Sequence, residues 1–216
     1  MFDLFKPNEP RIGIIIGTGP SLTKDQLKTT QRLQEKGALV FGANNVWQIY
    51  SDLTAMISSN PEYYDHYWEK GLKDFKGDIW TWDAATAAKY DIKYVQGKWE
   101  PGLSRDPNFI HYHHGAGPQI VNIAYHYGVR LFLLVGWDMH YPGKQNDHHY
   151  TEKRHFFGEY PEELQHFPRT GPNGEFTGLI REMETINPDD YNIEIINCTE
   201  GSAMTCFPMG DIKDYL

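Results

Sequence analysis

Cysteine is nearly missing from this chain, which has two in 216 residues, Cys198 and Cys206. A disulfide-stapled scaffold is therefore not expected, and the fold must rest on a hydrophobic core. Their separation can close a disulfide loop, but two cysteines in an acidic chain without a leader point to a reducing cytoplasm. No N-terminal stretch has the basic and apolar regions of a signal peptide, and no apolar run approaches the roughly 20 residues of a membrane span. Basic residues are also short, with 20 Lys and Arg against 29 Asp and Glu and a net charge of −9. That balance excludes an extended nucleic-acid surface, though not a local basic pocket. Repeats, low-complexity segments and linkers are absent, so one domain over 1–216 is expected.

Two nucleotide motifs are missing as well. There is no G-x-x-x-x-G-K-[ST], so this is not a P-loop kinase. In a G-x-G-x-x-G fingerprint the third glycine after Gly17 and Gly19 would fall at Leu22. The acid expected after the second strand is replaced by Asn44-Asn45. A nicotinamide cofactor is thus not expected, nor is any tightly bound cofactor.

What is present begins with Ile12–Ile16, a β-branched run that reads as a buried strand. It breaks into Gly17-Thr18-Gly19-Pro20-Ser21-Leu22. Thr23 and Gln26 then have capping-box spacing, and an amphipathic run continues to Lys36. A glycine turn before a helix can aim amides at a phosphate. Gly17, Thr18, Gly19, Pro20 and Ser21 are therefore candidate nucleotide contacts, with Gly19 small so that backbone can approach the ligand. The alternative is a plain strand-to-helix turn.

Further strands are expected at 38–42, 53–57, 79–82, 92–95, 131–135 and 193–196, and helices at 62–72, 118–127 and 178–186. The stretch 96–107 shows no clean period and reads as a loop. The regular alternation predicts an α/β, Rossmann-like fold, with a mostly parallel sheet and helices on both faces. Ligands bind beyond the carboxyl ends of such strands. Asn44, Asn45, Gly115, Gly117, Asp138 and Ser202 all fall there. Each has a structural alternative as a turn or cap residue. His111, His113 and His114 precede the Gly115 turn, but no Cys or Glu completes a familiar ligand set, so no metal site is assigned. From 141 to 177 the chain is polar and rich in His, Pro and Gly, which suits a lid or acceptor-binding excursion. Its Lys153, Arg154 and Arg169 are candidate phosphate contacts.

Gly17-Thr18-Gly19-Pro20-Ser21-Leu22, Asn44 and Gly136-Trp137-Asp138-Met139-His140-Tyr141 together resemble the bacterial sialyltransferase-like glycosyltransferases. The wider superfamily of that resemblance includes motility accessory factors and pterin diphosphokinases. The layout is nearest to short phage or prophage proteins of unknown role. The resemblance implies sugar transfer from a nucleotide-activated donor, with a cytidine-linked donor as nearest model and the acceptor unspecified. It implies His155, in His155-Phe156-Phe157-Gly158, as general base and Tyr141 as a looser match to a tyrosine assisting the leaving phosphate. Asp138 would orient a sugar hydroxyl, hold a ribose or bind a metal. Thr18 stands where those transferases carry Asn. Two alternatives follow: an ATP-dependent diphosphokinase, with Mg²⁺ on Asp138, or a non-catalytic binding protein. A homo-oligomer is compatible with each.

Overall fold

A computed structural model describes residues 11–111, 115–141, 155–164, 170–171 and 174–216. The first half is a run of βα units: β1 (Arg11–Ile16), α1 (Lys24–Glu35), β2 (Leu39–Ala43), α2 (Val46–Ile49), β3 (Ala55–Ile57), α3 (Pro61–Tyr67), β4 (Asp78–Thr81), α4 (Ala84–Tyr90) and β5 (Lys93–Tyr94). A short parallel pair, β6 (Gln96–Lys98) and β7 (Phe109–His111), follows. The second half brings α5 (Ala116–His126), β8 (Val129–Val135), α6 (Thr177–Glu184), α7 (Pro188–Tyr191) and β9 (Glu194–Asn197).

Seven strands form one parallel sheet in the order β5-β4-β3-β2-β1-β8-β9. The chain winds outward from β1 to β5, then returns to pair β8 on the other side of β1. The strand order therefore reverses between β1 and β8, where a parallel sheet opens a crevice at its carboxyl edge.

Alternation along the central strands produces two cores. Ile15, Phe132 and Leu134 face α5 and α6, while Ile14, Ile16, Leu133 and Val135 face α1, α2 and α3. All seven side chains are buried, as expected for strands covered by helices on both faces. The Rossmann-like α/β reading thus holds.

Local signals match the elements they announce. Thr23 Oγ1 accepts the Gln26 N–H at 3.1 Å, and the Gln26 side chain accepts the Thr23 N–H at 3.0 Å, closing the capping box of α1. Pro61 opens α3 at a position where no intrahelical N–H is needed. The stretch 96–107 departs from expectation, because β6 pairs with β7. Buried Asn122 of α5 organises that region: its Oδ1 accepts the Ser104 and His111 N–H groups, and its Nδ2 donates to Ser104 O.

Candidate functional site

The carboxyl ends of β1, β2, β3, β4 and β8 and the start of α5 surround a cleft of about 570 Å³. That volume suits a small-molecule ligand.

The turn after β1 forms one wall through Gly17, Thr18, Gly19 and Pro20. The Gly17, Gly19, Ser21 and Leu22 amides are bonded within the protein. Gly17 N–H donates to Val135 O at 2.7 Å, Gly19 N–H to Gly136 O at 2.9 Å, and Leu22 N–H to Gly19 O at 3.2 Å. Ser21 N–H donates to Asp138 Oδ1 at 3.1 Å, and Ser21 Oγ to Asp138 Oδ2 at 2.8 Å. The glycines also have an internal reason. A Cβ at Gly17 would lie 2.3 Å from Gly136 O, and one at Gly19 would lie 1.8 Å from Asp138 Oδ2. Gly19 is therefore small for a reason internal to the protein, because the β1 and β8 turns are pressed together. Ser21 and the self-capped start of α1 lie outside the cleft lining.

Asp138 is buried and spends both oxygens on Ser21. It lines the cleft and braces two turns. Beside it, Trp137 donates its indole N–H to Ile15 O at 3.0 Å and its backbone N–H to Thr199 Oγ1 at 2.9 Å. Met139 follows with φ of 56°, a conformation that costs a non-glycine residue about 1–2 kcal/mol. It lines the cleft, as does Asn44, whose φ is 52°. Left-handed residues held by their surroundings cluster at functional sites. Tyr141 also lines the cleft, its ring edge-on to Phe176 at 4.7 Å.

Segment 155–160 docks directly on the glycine turn. Phe156 N–H donates to Thr18 O at 2.8 Å, and Thr18 Oγ1 meets His155 Nδ1 at 3.2 Å. The His155 ring stacks on Phe157 at 5.2 Å and meets the edge of Tyr160 at 4.9 Å. The Tyr160 hydroxyl is bonded by the Asn45 backbone and by the Thr18 and Asn44 side chains; burial is the first cause pushing its pKa well above the usual phenol range. His155 and Tyr160 both line the cleft.

Other candidates are placed differently. Asn45 is buried outside the lining and donates Nδ2 to Tyr67 at 2.8 Å. Ser202 is not a cleft residue either: its Oγ donates to Trp137 O at 2.6 Å and accepts the Met204 N–H at 3.2 Å. Gly115 and Gly117 do line the cleft, at the start of α5. His111 is held structurally, with Nδ1 at 3.0 Å from Pro101 O. His113, His114, Lys153, Arg154 and Arg169 lie outside the described residues.

A further part of the lining was not anticipated. It is built from Ser58, Ser59 and Asn60 after β3, Trp82 after β4, and Gln119 in α5. Buried Tyr64 fixes this edge by taking the Ser58 N–H at 2.9 Å and donating to Trp80 O at 2.6 Å. The strand-end rule that singled out Asn44 applies equally to Ser58–Asn60. Gln119 carries no such signal, because it lies inside a helix, as Asn122 does, and not at a strand end. Compared with known protein families and with curated proteins, the chain matches none.

Proposed function

We propose that this protein transfers a sugar from a nucleotide-activated donor to an acceptor hydroxyl, with His155 as general base. The observation that carries the reading is the double tie of the His155 segment to Thr18. It fixes an imidazole on the wall of a cleft at the strand-order reversal.

In this reaction the acceptor oxygen bonds to the anomeric carbon as the bond from that carbon to the nucleotide phosphate breaks. The acceptor proton passes to His155 Nε2. For that role Nδ1–H donates to Thr18 Oγ1, leaving Nε2 as the basic nitrogen. Tyr160, its phenol kept protonated by burial, holds Thr18 and Asn44 in place. The diphosphokinase alternative loses support because Asp138, its first metal candidate, is engaged by Ser21 at both oxygens.

A panel of nucleotides and nucleotide sugars, scored by thermal stabilisation with and without Mg²⁺, identifies the donor. Cytidine or uridine sugars should stabilise most; a preference for Mg·ATP, or no response, refutes the reading. With the donor known, His155→Ala should lower kcat about 10²–10⁴-fold with donor affinity nearly unchanged. Full turnover in that variant would remove His155 from the mechanism.

A further inference from the structure

We propose that the cleft holds the oxyanion of its ligand at the start of α5, through uncharged donors, and not at the glycine turn. This deepens the reading of the cleft as a nucleotide-sugar site and rests on it for the ligand's identity.

The donors are specific. Helix α5 has 11 residues and follows Gly115, which offers no side-chain cap. The first N–H groups of a helix lack intrahelical acceptors, and the macrodipole makes that end positive. Ala116 and Gly117 supply those amides, and both line the cleft. No acceptor for either is found among the described residues. Gly115 and Gly117 have no side chains to cover them.

A second, independent pair of groups points into the same space. Gln119 is 2% exposed and lines the cleft. Its Oε1 accepts from Ser59 Oγ at 3.2 Å, which turns the Nε2 amide end away from Ser59. Ser58 is also 2% exposed and lines the cleft. Its backbone is bonded to Tyr64, yet its hydroxyl has no partner among the described residues. Neither Ser58 Oγ nor Gln119 Nε2 is a fully enclosed atom lacking a partner, so each keeps an open side in a residue that lines the cleft, where a ligand can supply an acceptor. Ser58 Oγ, Gln119 Nε2 and two helix amides are donors toward one wall. The glycine turn has spent its amides at Gly17, Gly19, Ser21 and Leu22.

The chemistry selected is a phosphoryl or carboxylate group. Neutral donors and a helix end can bind such an anion without a cation. The two sources separate experimentally.

Inorganic pyrophosphate, glucuronate and uncharged cytidine are titrated separately into ¹⁵N-labelled full-length protein. Pyrophosphate or glucuronate should shift the Ala116 and Gly117 amide signals with little change at Thr18 and Gly19, and the tighter binder names the anion. Cytidine should not shift Ala116 and Gly117. Ser58→Ala should weaken anion binding about tenfold or more with little change in melting temperature, because the removed hydroxyl has no partner within the described protein. Gln119→Glu, nearly the same shape, should abolish binding by placing a carboxylate against the anion. Anion shifts confined to residues 17–21, no response to either anion, or undiminished affinity in both variants would overturn the subsite. Anion binding at Ala116 and Gly117 without binding of any nucleotide sugar would retain the subsite and refute sugar transfer.

Discussion

Gly19 offers the sharpest test of how the cleft is held. A methyl group there would sit 1.8 Å from Asp138 Oδ2, 2.5 Å from its Cγ and 2.7 Å from Gly136 O. The carboxylate would have to retreat by about 1.2 Å before the contact became even barely tolerable. It cannot do so and keep Ser21, which it holds at 3.1 and 2.8 Å. Overpacking costs about 1–3 kcal/mol, and each hydrogen bond to a charged group adds about 1.5–3 kcal/mol. Gly19→Ala should therefore lose about 4 kcal/mol or more, or roughly 8–16 °C in melting temperature for a chain of this length. Asp138→Ala is also destabilising, since it leaves Ser21 without its acceptor. In the Asp138→Ala background, however, the two nearest approaches are gone and the 2.7 Å approach to Gly136 O remains. The second substitution should then cost about 1 kcal/mol, giving a coupling energy of about 3 kcal/mol. Urea unfolding of the four proteins, followed by tryptophan fluorescence, closes the cycle. Additive losses would show that Asp138 does not confine Gly19, and the account of both turns would fail.

Two further outcomes follow from single groups. Cys206 is exposed and free, yet desolvation, followed by the nearby charge of Glu184, pushes its thiol up to about 11. At pH 8 it should react with iodoacetamide about a hundredfold more slowly than an ordinary thiol and accelerate as pH rises toward 11, while Cys198, buried and pushed up to about 12, should react only on unfolding; rapid labelling at pH 8 would contradict this. Asp83 caps α4 by accepting the Thr86 N–H at 2.7 Å, and its bonds to Thr86 lower its pKa. Asp83→Ala should cost about 1 kcal/mol above the ordinary carboxylate range, with the difference fading as pH falls through the lowered pKa because the cap then loses its charge; a gap unchanged in acid would refute the assignment.

Much of the fold was legible because its signals are local. Ile12–Ile16 and Leu131–Val135 announce buried strands by composition, and Thr23 with Gln26 announces α1 by spacing. β6 was not legible, since Gln96-Gly97-Lys98 has no apolar alternation and exists through its pairing with β7. The positions of Asn44, Gly115 and Asp138 at the cleft follow from the strand-end rule. What their atoms do does not. The partner that takes Ser21 is 117 residues away in sequence, so the engagement of its amide was invisible. Ser202 shows the rule overextended. It follows β9, the sheet's edge strand beyond β8, and its loop turns back to hold Trp137 O.

Thr18 shows how this cleft differs from a phosphate loop. One edge of its turn is braced by Asp138 through Ser21, and the turn's backbone is fastened to the end of β8. The other edge carries the His155 segment, through Thr18 O and Thr18 Oγ1. A β-branched threonine restricts χ1, and its hydroxyl is shared with Tyr160. A side chain at this position that reached into the cleft for a nucleotide would have to release His155. On the proposed mechanism the turn therefore supports the base, while the wall formed by Ser58 and α5 receives the anion. Such a division suits a reaction in which the acceptor hydroxyl and the departing phosphate lie on opposite sides of the anomeric carbon, because the proton acceptor and the oxyanion donors must then belong to separate groups.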